Sequence, residues 1–152
     1  NYRFINGDPL SGSKVEYSDY IGFYNNCLSV IEEGNNYRML GWLPFMYNSV
    51  PSLSKTSFSW LLSGAKKVNT NLNGEERAIV VTGEMEKYFP MDIFPMQLIK
   101  ACIRGDIEKM ESLGIYEVVP EDFGLVDFSC TSKIEAQEII KSGIQIMLKE
   151  VG

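Results

Sequence analysis

The chain has 152 residues, of which 45% are hydrophobic and 22% charged, a composition typical of a folded globular protein. Its formal net charge of −6 weighs against a nucleic-acid partner, because neutralising phosphates requires clustered lysine and arginine. It contains no histidine, which removes the usual base of a catalytic triad and the commonest metal ligand. The three widely separated cysteines favour a reducing compartment over a disulfide framework.

The first third of the chain is predicted to be rich in β-strands. Residues 2–5 form a strand candidate that ends in strong turn formers. Apolar runs at residues 20–24 and 27–31 meet at Asn25-Asn26, which predicts a hairpin. A further strand is expected at residues 37–43, before Pro44. These elements predict a β-rich region over residues 1–53.

The middle of the chain is rich in serine, asparagine and aromatic residues, and we expect residues 54–83 to be a connection with a short strand at 78–81. Aromatic side chains around it could stack against a flat ring, although such residues more often pack in a core or an interface. The aromatic residues in question are Trp42, Phe45, Tyr47, Phe58 and Trp60.

The hydrophobic period changes to a helical one after Gly83. Asp92 followed by Pro95 predicts a helix start, and Gly105-Asp106 predicts the end of that helix and the cap of the next. A short third helix is expected from Pro120, and a long fourth one over residues 133–151. The sequence thus predicts an α+β protein with a four-helix domain over residues 84–152.

Membrane insertion and export are not indicated by the sequence. No stretch approaches the roughly 20 apolar residues that a membrane-spanning helix needs, and no signal peptide is visible. The chain begins without an initiator methionine, so we expect it to be part of a longer protein.

The sequence offers no catalytic constellation and no metal site. The acidic pairs Glu32-Glu33 and Glu121-Asp122 are better explained as a turn and a helix start. The glycine-bearing segment at residues 7–12 lacks the spacing and the following helix that phosphate binding requires.

The spacing of one iron–sulfur cluster motif fits the helical half twice, although almost all of the cysteines of the motif are missing there. The four-cysteine cluster motif C-x₂-C-x₂-C-x₃-C-P fits once ending at Phe89-Pro90 and once ending at Cys130. The other three positions of the two copies carry Ile79, Thr82 and Met85 in the first, and Pro120, Phe123 and Val126 in the second. Seven of the eight positions therefore hold side chains that cannot bind iron as thiolates. The pattern predicts a cluster domain whose metal has been replaced by hydrophobic core.

Several motifs in the same order resemble the C-terminal part of the A subunit of the Na⁺-translocating NADH:quinone oxidoreductases, and the likeness covers nearly the whole chain. Residues 21–34 are similar to the family's Leu-Gly-Arg-Tyr-His-Asn-Gln-Ile-Ser-Val-Ile-Glu-Glu-Gly, and residues 40–42 to its Phe-Gly-Trp. Residues 73–78 match Asn-Gly-x-x-Arg-Ala, and residues 89–95 are similar to Met-Pro-Leu-Asp-Ile-Leu-Pro. Residues 128–135 are similar to Phe-Val-Cys-Pro-Gly-Lys-Tyr-Glu.

The resemblance implies a β-grasp-like region followed by a helical domain related to that of the iron–sulfur subunit of the Rnf complex, with the cluster ligands lost. It implies a peripheral subunit on the cytoplasmic side of the bacterial inner membrane, docked to the other subunits of the membrane redox complex. NADH, the flavins and the iron centres then belong to partner subunits. Two positions depart from the family: Asn25 stands where it has histidine, and Thr131 where it has proline.

Three hypotheses follow. In the first, the chain is a non-catalytic docking or scaffold segment with no cofactor of its own. In the second, it forms part of a quinone site in which Trp42, Phe45 and Trp60 contact the ring; the hydrogen-bond donors would be Tyr47, Ser57 and Ser59. In the third, it is a hydrolase with Cys27 or Cys130 as nucleophile, which would need an unusual base because the chain has no histidine.

Overall fold

The computed structural model describes residues 1–35 and 67–151. The chain divides into two compact units, residues 1–75 and 76–152. The described part of the first unit holds a three-stranded antiparallel sheet and that of the second holds helices, so the predicted α+β class is confirmed. The domain limits expected at residues 53 and 83 stay predictions.

The sheet of the first unit consists of β1 (Tyr2–Asn6), β2 (Ser13–Val15) and β3 (Leu28–Glu32), in the order β2-β1-β3. The predicted strand at residues 2–5 is confirmed as β1. The predicted hairpin is wrong, because β3 pairs antiparallel with β1 and residues 20–24 form no strand. A tight turn, in which the Asn25 N–H donates to the Gly22 carbonyl at 3.0 Å, interrupts the segment instead.

The turn between β1 and β2 is fixed by Asp8. Its carboxylate accepts hydrogen bonds from the N–H of Leu10 at 2.8 Å, from the N–H of Ser11 at 3.0 Å and from the Ser11 hydroxyl. These bonds, with the Ser11 hydroxyl first, hold the pKa of the Asp8 carboxyl below its usual range. A Cβ on Gly12 would lie 2.6 Å from the Ile5 side chain, so the turn closes only with glycine there.

An ion pair joins β1 to the end of β3. The Arg3 guanidinium donates to both carboxylate oxygens of Glu33, with Nε 2.9 Å from Oε2. The Thr70 hydroxyl also donates to Glu33, at 3.2 Å, and accepts a bond from the N–H of Gly34 at 2.7 Å. Residues 69–71 are thereby attached to the end of the strand.

The described part of the second unit contains five helices and two 3₁₀ turns, at Ile115–Glu117 and Pro120–Phe123. The helices are α1 (Met85–Tyr88), α2 (Pro95–Arg104), α3 (Ile107–Ser112), α4 (Gly124–Ser129) and α5 (Ala136–Val151). The predicted helices from Pro95, after Gly105 and towards the end of the chain are confirmed. The helix expected from Pro120 begins as a 3₁₀ turn and continues as α4, and α1 is an additional helix, so the described part of the unit has five α-helices rather than four.

The expected strand at residues 78–81 is wrong. These residues lie outside any strand or helix. The adjacent backbone is held by the Ser132 turn, because the Arg77 N–H donates to the Ser132 carbonyl at 2.8 Å and the Ser132 hydroxyl donates to the Ala78 carbonyl at 3.2 Å. Pairing with a turn rather than a neighbouring strand makes this segment part of the helical unit.

The junction between α2 and α3 is as predicted. Gly105 ends α2 in the left-handed conformation with φ 65°, which costs glycine little. Asp106 then caps α3 by accepting a hydrogen bond from the Lys109 N–H at 3.3 Å. Hydrogen bonding to the Lys109 side chain is the main cause that lowers the pKa of Asp106.

The helices enclose one hydrophobic core, to which α2 contributes its predicted apolar face. The buried residues of this core are Met85, Phe89, Met96, Leu98, Ile99, Ala101, Cys102, Met110, Ile115, Val118, Phe123, Val126, Cys130, Ile134, Ala136, Ile140 and Met147. Phe89 and Cys130, which end the two cluster-spaced motifs, are both members of this core.

Candidate functional site

The first cluster-spaced set consists of residues 79, 82, 85 and 89. Ile79 is half-buried against the core and Thr82 is exposed. Met85, at the start of α1, and Phe89, directly after it, are both buried. The expectation that apolar core occupies these positions therefore holds for three of the four residues.

The second set consists of residues 120, 123, 126 and 130. Pro120 begins a 3₁₀ turn, and Phe123, at the end of that turn, is completely buried. Val126 is buried within α4, and Cys130 is buried at the end of that helix. Three of the four positions are again members of the hydrophobic core.

The two sets approach each other in a crossed manner. In two-cluster ferredoxins the fourth cysteine of each motif binds the cluster held by the other motif. Here Phe89, the fourth residue of the first set, packs against Phe123 of the second, with ring centroids 4.7 Å apart and planes at 47°. Two aromatic rings are thus in contact at positions that the motif would give to ligands of one cluster.

The other crossed group consists of positions 79, 82 and 85 of the first set and position 130 of the second. It borders a small cavity instead of containing a packed pair of rings. Its walls include Thr82 and Met85 of the first set and Cys130 of the second. The remaining lining residues are Val80, Glu84, Met96, Ser129, Thr131 and Ser132. The cavity has room for about one water molecule. It is therefore too small for an iron–sulfur cluster or a quinone ring.

The turn after Cys130 closes this cavity on one side. The Lys133 N–H donates to the Cys130 carbonyl at 3.4 Å, and Lys133 adopts a left-handed backbone with φ 52°. A non-glycine residue in this conformation carries a backbone cost of about 1–2 kcal/mol. The hydrogen bonds of Ser132 to residues 77 and 78 hold the turn in place.

The donor atoms at the cavity do not form a metal-binding set. Cys130 supplies a thiol, Met85 a thioether and Thr82 a hydroxyl, whereas a four-iron cluster takes four thiolates. Among residues 1–35 and 67–151, no three or more histidine, cysteine, aspartate or glutamate side chains come together as a candidate metal site.

The three cysteines differ in accessibility. Cys27 is exposed, whereas Cys102 and Cys130 are buried thiols. Burial raises the pKa of the Cys102 thiol to about 11, so this residue is protonated at neutral pH and a poor nucleophile. Cys27 follows the exposed turn at residues 22–25, with its carbonyl accepting a hydrogen bond from the Gly7 N–H at 2.9 Å.

The residues predicted to contact quinone, Trp42, Phe45 and Trp60, lie outside the residues that the structure describes. The same holds for the predicted donors Tyr47, Ser57 and Ser59 and for the expected strand at residues 37–43. These assignments stay predictions.

An exposed group of aromatic side chains was not anticipated from the sequence. It lies between β2 and β3, where Tyr17, Tyr20, Phe23 and Tyr24 are 89–95% exposed. The available signal was a run of four aromatic residues within eight positions that also contains Gly22 and polar residues, which is a poor pattern for a strand.

Asp127, in α4, holds the start of the long helix α5. Its carboxylate accepts hydrogen bonds from the Ala136 N–H at 2.5 Å, the Gln137 N–H at 3.4 Å and the Gln137 side-chain amide at 2.8 Å. It thereby satisfies donors in the first turn of α5. Burial raises the pKa of the Asp127 carboxyl, while these hydrogen bonds oppose the rise.

Replacing Asp127 with alanine is expected to lower the free energy of unfolding by about 1–2 kcal/mol, because helix N–H groups lose their acceptor. Since the folded chain binds the carboxyl proton more tightly than the unfolded chain, the contribution of Asp127 is largest below about pH 4 and declines as the pH rises through the raised pKa. Urea unfolding at several pH values measures both effects. An equal loss of unfolding free energy at pH 4 and at pH 7 would contradict the expected pH dependence.

No helix in the described part of the chain is both long and apolar enough to cross a membrane. No protein-family model matches the chain. Curated proteins, in contrast, resemble it over almost its whole length.

Three of these relatives are the A subunit of Na(+)-translocating NADH-quinone reductase from different bacteria. The protein of Neisseria meningitidis serogroup C is 35% identical over 153 aligned residues. The protein of Pasteurella multocida is 36% identical over 154, and that of Hahella chejuensis 35% identical over 150. Each alignment covers 97% of this chain and 33% of the relative.

The chain therefore spans about one third of the length of the curated relatives it matches. Identity of about 35% over 97% of the chain, together with the ordered motifs, is far beyond a chance likeness. The resemblance inferred from those motifs is confirmed, and the chain is a homologue, over that third, of the A subunit of Na(+)-translocating NADH-quinone reductase.

Proposed function

We propose that this chain is the C-terminal part of the peripheral A subunit of a sodium-pumping NADH:quinone reductase and that it docks subunits rather than carrying electrons itself. Its partners are the other subunits of the membrane redox complex, which hold the flavins and iron centres and oxidise NADH. The complex lies at the bacterial inner membrane with this subunit on the cytoplasmic side.

The observation that carries the proposal is that core side chains occupy most of the cluster-spaced positions. Phe89 and Phe123 fill one crossed group, and the cavity beside Cys130 is water-sized. This arrangement supports a helical domain of the ferredoxin type that has lost its clusters. The antiparallel sheet of the first unit supports a β-grasp-like region before it. A domain that is close-packed with hydrophobic side chains at these positions is rigid, which suits a scaffold.

The docking function is tested by purifying the full-length protein that contains this chain from its own cells, with a chromosomal affinity tag and a mild detergent. We expect it to purify in a fixed ratio with the other reductase subunits, with NADH-driven, Na⁺-dependent quinone reduction in the same fraction. Purification of the tagged protein alone, with the remaining subunits assembled elsewhere, would contradict docking.

The absence of electron transfer through this domain is tested in the same preparation with Cys130→Ala. This substitution removes the one cysteine among the eight cluster-spaced positions. The expected result is an unchanged ratio of iron to protein and an unchanged rate of NADH oxidation. Loss of iron from an otherwise assembled complex would show that Cys130 is a ligand and would reject the scaffold role.

Quinone binding by Trp42, Phe45 and Trp60 is the second candidate. The names of the relatives include a quinone as substrate of their complex, and aromatic walls are typical of sites for flat rings. An amide chemical-shift map of the labelled protein, titrated with a short-tailed quinone, tests it. Saturable shifts at residues 42–60 are expected if the ring binds there; a folded spectrum without such shifts would reject it.

A further inference from the structure

The segment between β2 and β3, residues 16–27, is here named the aromatic loop. It presents Tyr17, Tyr20, Phe23 and Tyr24 with 89–95% of each side chain exposed. Isolated apolar residues are ordinary on a protein surface, but four nearly fully exposed aromatic rings within eight residues are not. Tyrosine is also among the residue types that contribute most to binding energy when buried at an interface.

The aromatic loop has a defined backbone rather than a random one. One turn is fixed by the N–H of Glu16 donating to the Asp19 carboxylate at 2.8 Å, and by the N–H of Asp19 donating to the Glu16 carbonyl at 3.0 Å. A second turn joins Gly22 and Asn25, and the end of the loop is tied to β1 through Gly7 and Cys27. A segment ordered before binding loses less conformational entropy when it docks.

The aromatic rings are partly ordered as well. Phe23 and Tyr24 meet edge to face, with centroids 5.2 Å apart and planes at 87°. Tyr17 contacts Phe4 of the sheet in an edge arrangement at 5.9 Å. These contacts place the rings without burying them, so most of their apolar area is free to be covered by a partner.

The charge of the aromatic loop selects the chemistry of that partner. The sequence contains no lysine or arginine between Lys14 and Arg38, and the loop carries Glu16 and Asp19. The Glu16 carboxylate lies 3.6 Å from the Lys14 ammonium in an exposed ion pair, so Asp19 supplies the unbalanced negative charge of the loop. Aromatic faces attract cations, as carboxylates do. An anionic lipid surface would be repelled by the two acidic residues, and a second copy of the same loop would bring like charges together.

We infer that the aromatic loop is a docking surface for a basic protein surface, with lysine or arginine side chains around an apolar groove, on another subunit of the complex. The inference rests on the proposed function and adds to it the surface and the kind of partner. The aromatic rings supply the buried area, and the acidic residues supply orientation and selectivity.

The test uses the assembled complex with the affinity tag on a different reductase subunit, and measures how much of this protein is retained as the NaCl concentration rises. The pair Phe23→Ala and Tyr24→Ala is expected to weaken retention about tenfold or more. The matched control pair is Phe94→Ala and Tyr116→Ala, which removes two exposed rings from the helical unit and should leave retention unchanged.

A charge comparison at Tyr20 separates a basic protein surface from other occupants. Tyr20→Lys and Tyr20→Glu remove the same ring, but only the lysine adds a positive charge to the loop. We expect Tyr20→Lys to lose severalfold more retention than Tyr20→Glu. The reverse order would overturn the inference. Stronger binding of Tyr20→Lys to vesicles containing anionic lipid, together with a gain in its retention in the complex, would overturn it in favour of a membrane contact.

Two further outcomes distinguish the inference from the proposed function. Normal retention of the Phe23→Ala, Tyr24→Ala variant in a complex that retains the wild-type protein would overturn the docking surface alone. A wild-type protein that is never retained with the other subunits would overturn the proposed function and the partner together. The variants at Tyr20, Phe23 and Tyr24 should keep the wild-type circular dichroism spectrum, because these three rings are almost fully exposed.

Discussion

Replacing Phe123 with alanine is expected to lower the free energy of unfolding of the helical unit by about 4 kcal/mol. The Phe123 side chain is completely buried, and its ring packs on Phe89 at a centroid distance of 4.7 Å. The alanine variant loses the transfer free energy of the ring, leaves a cavity between the 3₁₀ turn and α5, and removes an aromatic pair. Urea unfolding followed by the helical circular dichroism signal measures the loss.

The matched control for this prediction is Phe128→Ala on the adjacent helix α4. Phe128 is 42% exposed, so its removal should cost about 1 kcal/mol or less. Phe123→Leu should fall between the two, because most of the volume is kept. Equal losses for Phe123→Ala and Phe128→Ala would contradict the conclusion that this cluster-spaced position is part of the core.

Gly143→Ala is expected to destabilise the helical unit by about 2 kcal/mol, although alanine is the better helix former by about 1 kcal/mol. Gly143 lies in α5, and a Cβ there would be 2.6 Å from the Cys102 sulfur and 3.4 Å from the Met110 sulfur. Since α2 packs directly on α5, the added methyl group must displace one of these elements. Thermal unfolding of the variant measures the balance.

A double substitution identifies the clash as the cause. Cys102→Ala removes the sulfur atom that a Cβ on Gly143 would meet first. The Gly143→Ala, Cys102→Ala variant should therefore be more stable than the sum of the single losses predicts, by about 1 kcal/mol. Ser142→Ala, at an exposed neighbouring position, controls for helix propensity and should be neutral or slightly stabilising. Strictly additive losses would mean that the contact with Cys102 does not determine the effect.

The helical elements were predictable because their signals are local. Pro95 at the first position of α2, Gly105 in the left-handed conformation and Asp106 as the next cap all act within a few residues of where they stand. The apolar face of α2 was also predictable from the sequence, since residues spaced by three and four share one side of a helix. Helix α1 was missed because it is only four residues long and has no apolar period.

The sheet was harder to predict because pairing partners are not encoded locally. The sequence places the run at residues 27–31 next to the run at 20–24, which suggested a hairpin. In the structure β3 pairs with β1 instead, with Phe4 opposite Val30. A turn at residues 22–25 replaces the expected strand. Which strand a segment joins depends on contacts far away in the sequence, and those are not visible in its own pattern.

In the candidate site, too, one feature was predictable from the sequence and another was not. Spacing alone indicated that core residues stand where cluster ligands would be, and the burial of Met85, Phe123 and Val126 agrees with it. Spacing could not indicate that one crossed group is filled by two rings while the other keeps a water-sized cavity, because that depends on side-chain volumes from several helices. The quinone contacts proposed for Trp42, Phe45 and Trp60 stay predictions.

The close packing of α5 on Cys102 also bears on the chemical durability of the protein. With its pKa raised to about 11 by burial, the Cys102 thiol is almost entirely protonated at pH 7. Peroxides attack the thiolate, and burial in the core shields this thiol and the thioethers of Met96 and Met110 from oxidants in solution. The sulfur atoms in this core are thus protected from oxidative damage by the same contacts that hold the helices together.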